Sequence, residues 1–586
     1  MARYYDFAGR KIIRPGSYTK QKFPEEEGAG AILGEVIIMG EATKGGIPYD
    51  AEDDINDVFN IVDGQAEALE WFGGGDVYYG AEFFLTCSKD PRFNTPSEAK
   101  CLVVNKMTAA ETTLKNGSDD IIDVSFKKYG VDGNTVAIKV STGTNEGKLI
   151  QMKYKGSEIL DEDDVTLDLM SIRYTGDAVT STITITDEKI TTECAAVAED
   201  NLDITLADFG DMGSLINYIN EQSNYTCLLT GKSDEFTTVF DAVTAQDIKS
   251  AAYSCIGGVE AVIRILNATE VVEAELTTDA DRVTIDNMSD FQYLTGGTVS
   301  AATTEDWTNA LEKLETYNLN NIVAMTGSTT IQDLVNDHIA RMNSVRIKKY
   351  RQAGFGAGAA TATKSARIAQ MKSLNSAYIE YCVSSFERYD FVNKEVKSFD
   401  PYYLYAMISG LRYSNSVGMD VVFKYLNVLS TPDIEDGDQD DYAAAGATLI
   451  QKTVNVKNIN QFEIKVNNTT YQGSQVTRTN PSVVYEINAL TKDYEEWIIE
   501  KLRSLDTVAN SVIITKIQND VVTEKFPDYR DNKKWITDGL DGQKAFDNVS
   551  FTQVGEQFIT TATLTMSVTP RFAFNFMTYI VPGQKV

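Results

Sequence analysis

Ala31-Ile-Leu-Gly-Glu-Val-Ile-Ile-Met-Gly40 is a short, nearly unbroken apolar run closed by glycine, the pattern of a strand buried on both faces of an α/β sheet. A helical pattern follows from Asp57 to Phe72, ended by Gly73-Gly-Gly75. Lys100-Cys-Leu-Val-Val-Asn105 is a second apolar strand, so the first hundred residues read β-α-β.

From residue 109 the texture changes to polar, Thr-rich alternation, with candidate strands at Ile121–Phe126, Thr135–Ser141, Lys148–Lys155 and Thr182–Thr186. Helices are predicted at Gly213–Gln222 and between Thr237 and Ile265, with a strand at Val271–Leu276. This block, 109–294, reads as one or two mostly antiparallel outer domains inserted into the α/β start. The α/β pattern resumes at Leu294-Thr-Gly-Gly297. Trp307, Leu311 and Leu314 share one helix face, Asn321–Thr326 is the next strand, and Ile331, Leu334, Val335 and Ile339 mark another helix.

Gly354-Phe-Gly-Ala-Gly-Ala-Ala360 reads as a flexible loop before a helix near 362–372, a strand at Tyr378–Ser384 and a helix at Tyr402–Ser416. Asp433–Asp441 reads as a solvated acidic loop. Beyond it lie strands at Gln461–Val466 and Gln475–Thr479, a strong helix at Asn488–Ser504, a second helical piece near 531–546, and two terminal strands. The last of these alternates Phe572, Phe574 and Phe576 with smaller residues.

The fold class is therefore multidomain α/β and α+β. An α/β core carries an inserted, mostly antiparallel β outer domain, and an α+β C-terminal domain ends in partner-seeking strands. The division reads 1–24 N-terminal arm, 25–108 first part of the core, 109–294 insertion, 295–440 central α/β domain, 441–571 C-terminal domain and 572–586 C-terminal arm.

At 586 residues the chain exceeds a single core, and 43% hydrophobic with 24% charged residues is ordinary for folded domains. The N-terminus lacks the apolar core of a signal peptide and no run of about 18 apolar residues occurs, so a soluble chain without membrane insertion is expected. A net charge of -32 argues against wrapping nucleic acid, whose affinity comes mainly from Lys and Arg on phosphates. The charge is segregated. Residues 1–23 hold Arg3, Arg10, Lys11, Arg14, Lys20 and Lys22 against Asp6 alone, and Arg341–Lys372 is basic with no acid. Such segments either meet acidic surfaces on other copies or form a solvated basic face.

Catalytic signals are weak. The sole histidine, His338, sits beside Asp337 in a helix without a GxSxG elbow, so a helix-surface or subunit-contact role is expected. The Gly354 segment lacks both the P-loop Lys-Ser/Thr and the GxGxxG register. Counted from Asp433, a calcium loop would need glycine where Asp438 stands and glutamate where Ala444 stands. The Asp161-Glu-Asp-Asp164 cluster is read as solvated too. Six scattered cysteines, without CxxC, read as buried thiols. No enzyme activity, cofactor or metal is expected.

The order of elements resembles the tail sheath proteins of contractile bacteriophages, with relatives in contractile injection systems. Arg14-Pro-Gly-Ser-Tyr18 is similar to the family's early PGVY strand, and Gly40-Glu-Ala-Thr-Lys-Gly-Gly46 to its GxAxxGP turn, with the proline displaced to Pro48. Lys128-Tyr-Gly-Val-Asp-Gly-Asn-Thr-Val-Ala-Ile138 is similar to the GxxGNxI start of the inserted domain. Leu294-Thr-Gly-Gly297, with Ala310-Leu311 and Ile322–Thr326, looks like the opening of the central sheath domain, although Gly296-Gly-Thr-Val-Ser300 departs from the usual GGxDG. Tyr403–Arg412 takes the place of the AAxxAGxxA helix.

The resemblance implies a structural virion protomer, assembled in the host cytoplasm as stacked hexameric rings around a tail tube protein, with baseplate and tail terminator partners. Contraction would drive the tube through the host envelope. Arms at about 10–22 and 572–581 would add strands to neighbouring subunits, involving Arg10, Lys11, Arg14, Tyr18, Phe572, Phe574, Phe576 and Tyr579. Lys501, Arg503, Lys533 and Lys534 would face the tube. The Thr-rich β domain suggests the alternative of a receptor- or carbohydrate-binding virion protein.

Overall fold

The computed structural model describes residues 5–7, 10–12, 35–44, 58–277, 282–344, 346–454, 460–503, 511–539, 542–554 and 557–567. Its centre is an eight-stranded mixed sheet: β1 (Glu35–Gly40), β2 (Val58–Ile61), β3 (Ala99–Val103), β4 (Leu319–Ala324), β5 (Gln352–Gly356), β6 (Ile379–Cys382), β7 (Ala447–Val454) and β8 (Asn460–Asn467), in the order β8-β7-β6-β5-β4-β1-β3-β2. The six inner strands are parallel, while β8 on β7 and β2 on β3 are antiparallel.

Helices cover both faces, which is why the parallel strands read as continuous apolar runs. On one face α1 (Gln65–Phe72), α2 (Gly75–Leu85) and α6 (Leu404–Tyr413) pack with Ile38, Val103, Val323 and Cys382. On the other, α3 (Thr304–Lys313), α4 (Thr329–Met342), α5 (Lys364–Leu374) and α7 (Asp436–Ala445) pack with Ile37, Leu102, Ile322 and Tyr381. The helix starts have local causes. Thr303 and Asp306 close a capping box at α3, and Thr363 accepts the Ala366 amide at α5.

Several elements differ from the sequence reading, each for a physical reason. The expected helix at 57–72 begins as strand β2, and only Gln65–Phe72 is helical, with Gly73 left-handed at its C-cap. The expected Gly/Ala loop, Gly354–Ala360, begins within β5, which is buried along its whole length and ends at Gly356. Its glycines are steric. A Cβ on Gly354 would lie 2.3 Å from the Tyr405 ring, and one on Gly356 would lie 2.8 Å from the Pro401 backbone. The acidic loop is largely α7, where Asp436 and Asp438 sit in the first turn against the positive end of the helix dipole. Lys364 reaches Asp438 and Asp441 at 2.5 Å each. Val476–Thr479 is a helical turn rather than a strand, and the helix expected near 531–546 lies earlier, at Phe526–Asp531. Between Thr237 and Ile265 only the segment from Gly258 is an α-helix, since Val243–Asp247 and Tyr253–Ile256 are strands. Residues Ala447–Val454 and Asn460–Asn467, assigned from sequence to the C-terminal domain, are hydrogen-bonded members of the central sheet.

The insertion is two nested units. An inner one, built from strands between Glu111 and Val165 and between Val272 and Tyr293, packs around Val124, Ile138, Val262 and Leu266. An outer one, between Asp168 and Ile256, packs around Ile172, Ile183, Leu215 and Phe240. Strand pairing within both is antiparallel.

α6 lies on the glycine floor of β5 and carries a buried polar network. Arg412 and Glu380, 0% and 1% exposed, form a bidentate pair, with Nη2 to Oε2 at 2.9 Å. Asn467 on β8 accepts from Arg412 at 2.9 Å and donates to Glu380 at 2.6 Å. Tyr405 donates to Asn321 on β4 at 2.8 Å, and Asn321 donates to Ser409 at 2.6 Å. One cluster thus fixes α6 against β4, β6 and β8. Glu380→Gln strands the Arg412 cation in the core and is expected to cost about 3–5 kcal/mol in urea unfolding, most of it recovered in Glu380→Gln/Arg412→Met. Unchanged unfolding in the single variant would contradict this assignment.

Candidate functional site

In an open parallel sheet the usual ligand site is the crevice where the chain leaves adjacent strands for opposite faces. Here that point lies between β1, which leads to the α1 and α2 face, and β4, which leads to α4. The crevice is filled by backbone. The Val77 amide donates to the Glu41 carbonyl at 3.0 Å. Gly75, at φ +79°, lies so close that a Cβ would sit 2.5 Å from the same oxygen. The Asn105 side chain bonds the Ala42 amide and carbonyl, at 2.9 and 3.0 Å, and the Ser300 carbonyl at 3.1 Å. Asp76 is hydrogen-bonded by Tyr403 and pushed up to about 6 by burial.

The other chemical candidates are structural in this chain. His338, expected on a surface, is 4% exposed, with Nε2 at 3.1 Å from Arg351 Nη1. Arg351 is itself fully buried, donating to the Leu314 and Tyr317 carbonyls at 3.2 and 3.1 Å. A helical histidine and a nearby arginine were visible in the sequence; that they meet inside the core was not. The Asp161–Asp164 cluster stitches a hairpin: Asp163 accepts the Thr144 amide at 3.0 Å, and Asp164 those of Asn145 and Glu146 at 2.7 and 3.1 Å. All six cysteines are buried, and burial pushes the Cys87 and Cys227 thiols up to about 12.

The basic segment 341–372 is largely engaged within its own chain, not gathered into one free face. Arg341 pairs with Glu315, Lys348 with Glu495 at 3.0 Å, and Arg367 donates to the Thr361 and Val383 carbonyls at 3.0 Å each.

What presents bonding capacity is the C-terminal unit. α8 (Pro481–Arg503), begun by proline, packs Ala489 and Leu490 with Phe526, Tyr529 and Trp535. Asp493 on α8 joins this unit together, with Lys533 at 2.6 Å, Tyr529 at 2.8 Å and Lys525 also in contact. Burial opposes its ionisation, but those hydrogen bonds outweigh burial and hold the carboxyl below its ordinary range. Against this core lies a hairpin, Phe546–Val554 with Gln557–Leu564, which is a two-stranded sheet among the described residues. Beyond Leu564 the chain runs on to Met566, which bridges to Ile536, with the Thr537 amide on the Thr565 carbonyl at 2.9 Å and the Ser567 amide on the Trp535 carbonyl at 3.0 Å. Along the rest of the hairpin no third strand pairs among the described residues.

Comparison with known proteins follows this architecture. No family model matches the chain. The tail sheath protein of Bacillus phage SP01 is 25% identical over 544 residues, spanning 88% of this chain and 90% of that protein. The chain is similar to that tail sheath protein along most of both lengths. Among solved structures, the sheath tail protein of Desulfitobacterium hafniense shares its fold at a TM-score of 0.50 and 11% identity, covering 94% of this chain and 100% of that one. A second, from Listeria innocua, gives 0.49 at 10% identity, over 91% and 95%.

Of the four side chains that a tail sheath reading directs at a tube, Lys533 is held by Asp493, and Lys501 by Asp520 at 2.8 Å while stacked 5.1 Å from the Trp497 ring centroid. Arg503 and Lys534 are exposed. Arg10 and Lys11 lie in a strand paired with Tyr5–Phe7 of the same chain. Arg14, Tyr18, Phe572, Phe574, Phe576 and Tyr579 lie outside the described residues. Sequence reading missed Asp493, Glu380 and Arg412, whose partners lie far along the chain.

Burial first, and then the Arg351 guanidinium, push the His338 imidazole down to about 3 from its ordinary 6.5. Between those values the unfolded chain takes up a proton that the folded chain refuses, so this contribution is complete above pH 6.5 and is lost as pH falls toward 3. His338→Gln is expected to remove up to about 1.4 kcal/mol per pH unit of acid sensitivity in this window, read from denaturation midpoints at pH 7, 6, 5 and 4. Parallel pH curves for the two proteins would refute it.

Proposed function

We propose that this chain is the protomer of a contractile phage tail sheath, polymerising as stacked hexameric rings around a tail tube and contracting to drive that tube through the host envelope. The observation that carries the reading is the match to a phage tail sheath protein along 88% of the chain, core and insertion together. The C-terminal hairpin supports the mode of assembly. Along Phe546–Val554 and Gln557–Leu564 no third strand pairs with it among the described residues, and an extended segment from another subunit would add there by strand addition, with alternate side chains setting register.

The basic N-terminal segment and the aromatic alternation at Phe572, Phe574 and Phe576 are the segments suited to that addition. Each subunit would thereby be linked to others through backbone bonds that survive rotation of the bodies. The further partners are the tail tube protein inside the cylinder and the baseplate and tail terminator at its ends, and the place of action is the virion tail. Arg503 and Lys534, exposed on the C-terminal unit, are the proposed tube-facing cations.

Two truncations test this, one lacking residues 1–23 and one lacking 572–586. Each is expected to stay folded by circular dichroism yet to yield discrete particles in negative stain, where the full chain yields hollow striated cylinders. Cylinders of normal length from both truncations would overturn the strand-addition mechanism, and absence of cylinders from the full chain under all assembly conditions would overturn the sheath reading.

A further inference from the structure

The chain enters and leaves the insertion through a narrow neck, Met107–Thr108 paired antiparallel with Thr298–Val299. The neck is firmly tied. The Thr108 and Thr298 hydroxyls are 2.7 Å apart, the Thr298 amide donates to Thr108 Oγ1 at 3.0 Å, and the Asn134 side chain holds the Gly297 carbonyl and amide at 2.8 and 3.0 Å.

Beside the neck, two ion pairs cross between the bodies in opposite senses. Lys44, just after β1, reaches Asp132 of the insertion at 3.3 Å. Lys128 of the insertion reaches back to Glu70 on α1 at 2.6 Å, with its ammonium 4.9 Å from the Trp71 ring centroid. Between them lies a cavity of about 240 Å³, walled by Phe126 and Tyr154 as well as these charges. Apart from Tyr129, which packs on the apolar cluster of the core, the contact beside the neck is electrostatic around a gap, unlike the dry apolar packing inside each body.

We propose that these crossed pairs form a releasable latch, and that the insertion pivots on its neck when they part. Both states are satisfied. Asp132 keeps a partner within its own unit, Lys155 at 2.8 Å, when Lys44 leaves, and Glu70 is already 68% exposed and becomes hydrated when Lys128 leaves. Neither state buries an unpaired charge, so the two positions lie close in free energy and the balance is set by screening. The neck hydrogen bonds involve none of the latch residues and persist through the motion.

Two spin labels on the full chain test this, at Val179→Cys on the outer unit, where the native side chain is 84% exposed, and at Leu429→Cys on the core, where it is 50% exposed. The six native cysteines are buried and spared. At low salt a single narrow distance distribution is expected by pulsed dipolar spectroscopy. Asp132→Asn/Glu70→Gln is expected to add a second population, rising about five-fold for each pair lost. About 1 M salt, with a screening length of about 3 Å, is expected to do the same to the unsubstituted latch. The exchange Lys128→Glu/Glu70→Lys restores the narrow distribution. A distribution equally narrow in the double substitution and at high salt overturns the latch, and the salt arm decides the matter even if the substituted chain fails to fold.

Discussion

The interaction on which the rest of the structure depends is the contact of α6 with the floor of the central sheet. It is possible only because β5 has glycine at 354, which lets the Tyr405 ring descend to the strand backbone, and at 356, where the Pro401 backbone comes close. Once there, the helix brings Arg412 onto Glu380 and Asn467, with neither charge in contact with water. A buried pair of this kind adds little net stability relative to apolar packing but penalises every misregistered arrangement, because a slip leaves a charge unpaired. It fixes how the parallel core meets the antiparallel edge strand β8. α8 follows that edge in the chain and is itself held to β4 and β5, with Lys492 donating to the Leu319 carbonyl at 3.2 Å and Gln352 to the Pro481 carbonyl at 3.1 Å.

Much of the core was legible in the sequence. β1, β3, β4 and β6 announce themselves as apolar runs, and α3 and α4 as apolar residues at helical spacing, since a residue's own neighbours determine those patterns. β5 was illegible because the same glycines that signal a loop also permit close packing, and only the distant Tyr405 tells the two apart. α7 was hidden by its acids, which a helix N-terminus favours and Lys364 neutralises. The polar constellations were invisible for a different reason. Glu380 meets Asn467, and Asp493 meets Lys533, across separations of 87 and 40 residues, and no local spacing encodes such contacts. His338 belongs to the same class, since burial against Arg351 is a tertiary fact.

These features accord with the proposed sheath role. The crevice where an α/β sheet ordinarily receives a ligand is occupied by the chain itself, through the close approach of Gly75 to Glu41. The buried charges hold elements together, and the C-terminal hairpin is a two-stranded sheet among the described residues. The internal register of the chain is set by side-chain networks such as Arg412 with Glu380 and Asn467.

The most direct measurement is a helical reconstruction of assembled particles at a resolution that traces the backbone. The account predicts that the hairpin Phe546–Leu564 becomes the centre of a larger sheet, flanked on both edges by strands contributed by other subunits. A hairpin that remains two-stranded in the assembly, or that is completed only by segments of its own chain, would contradict it.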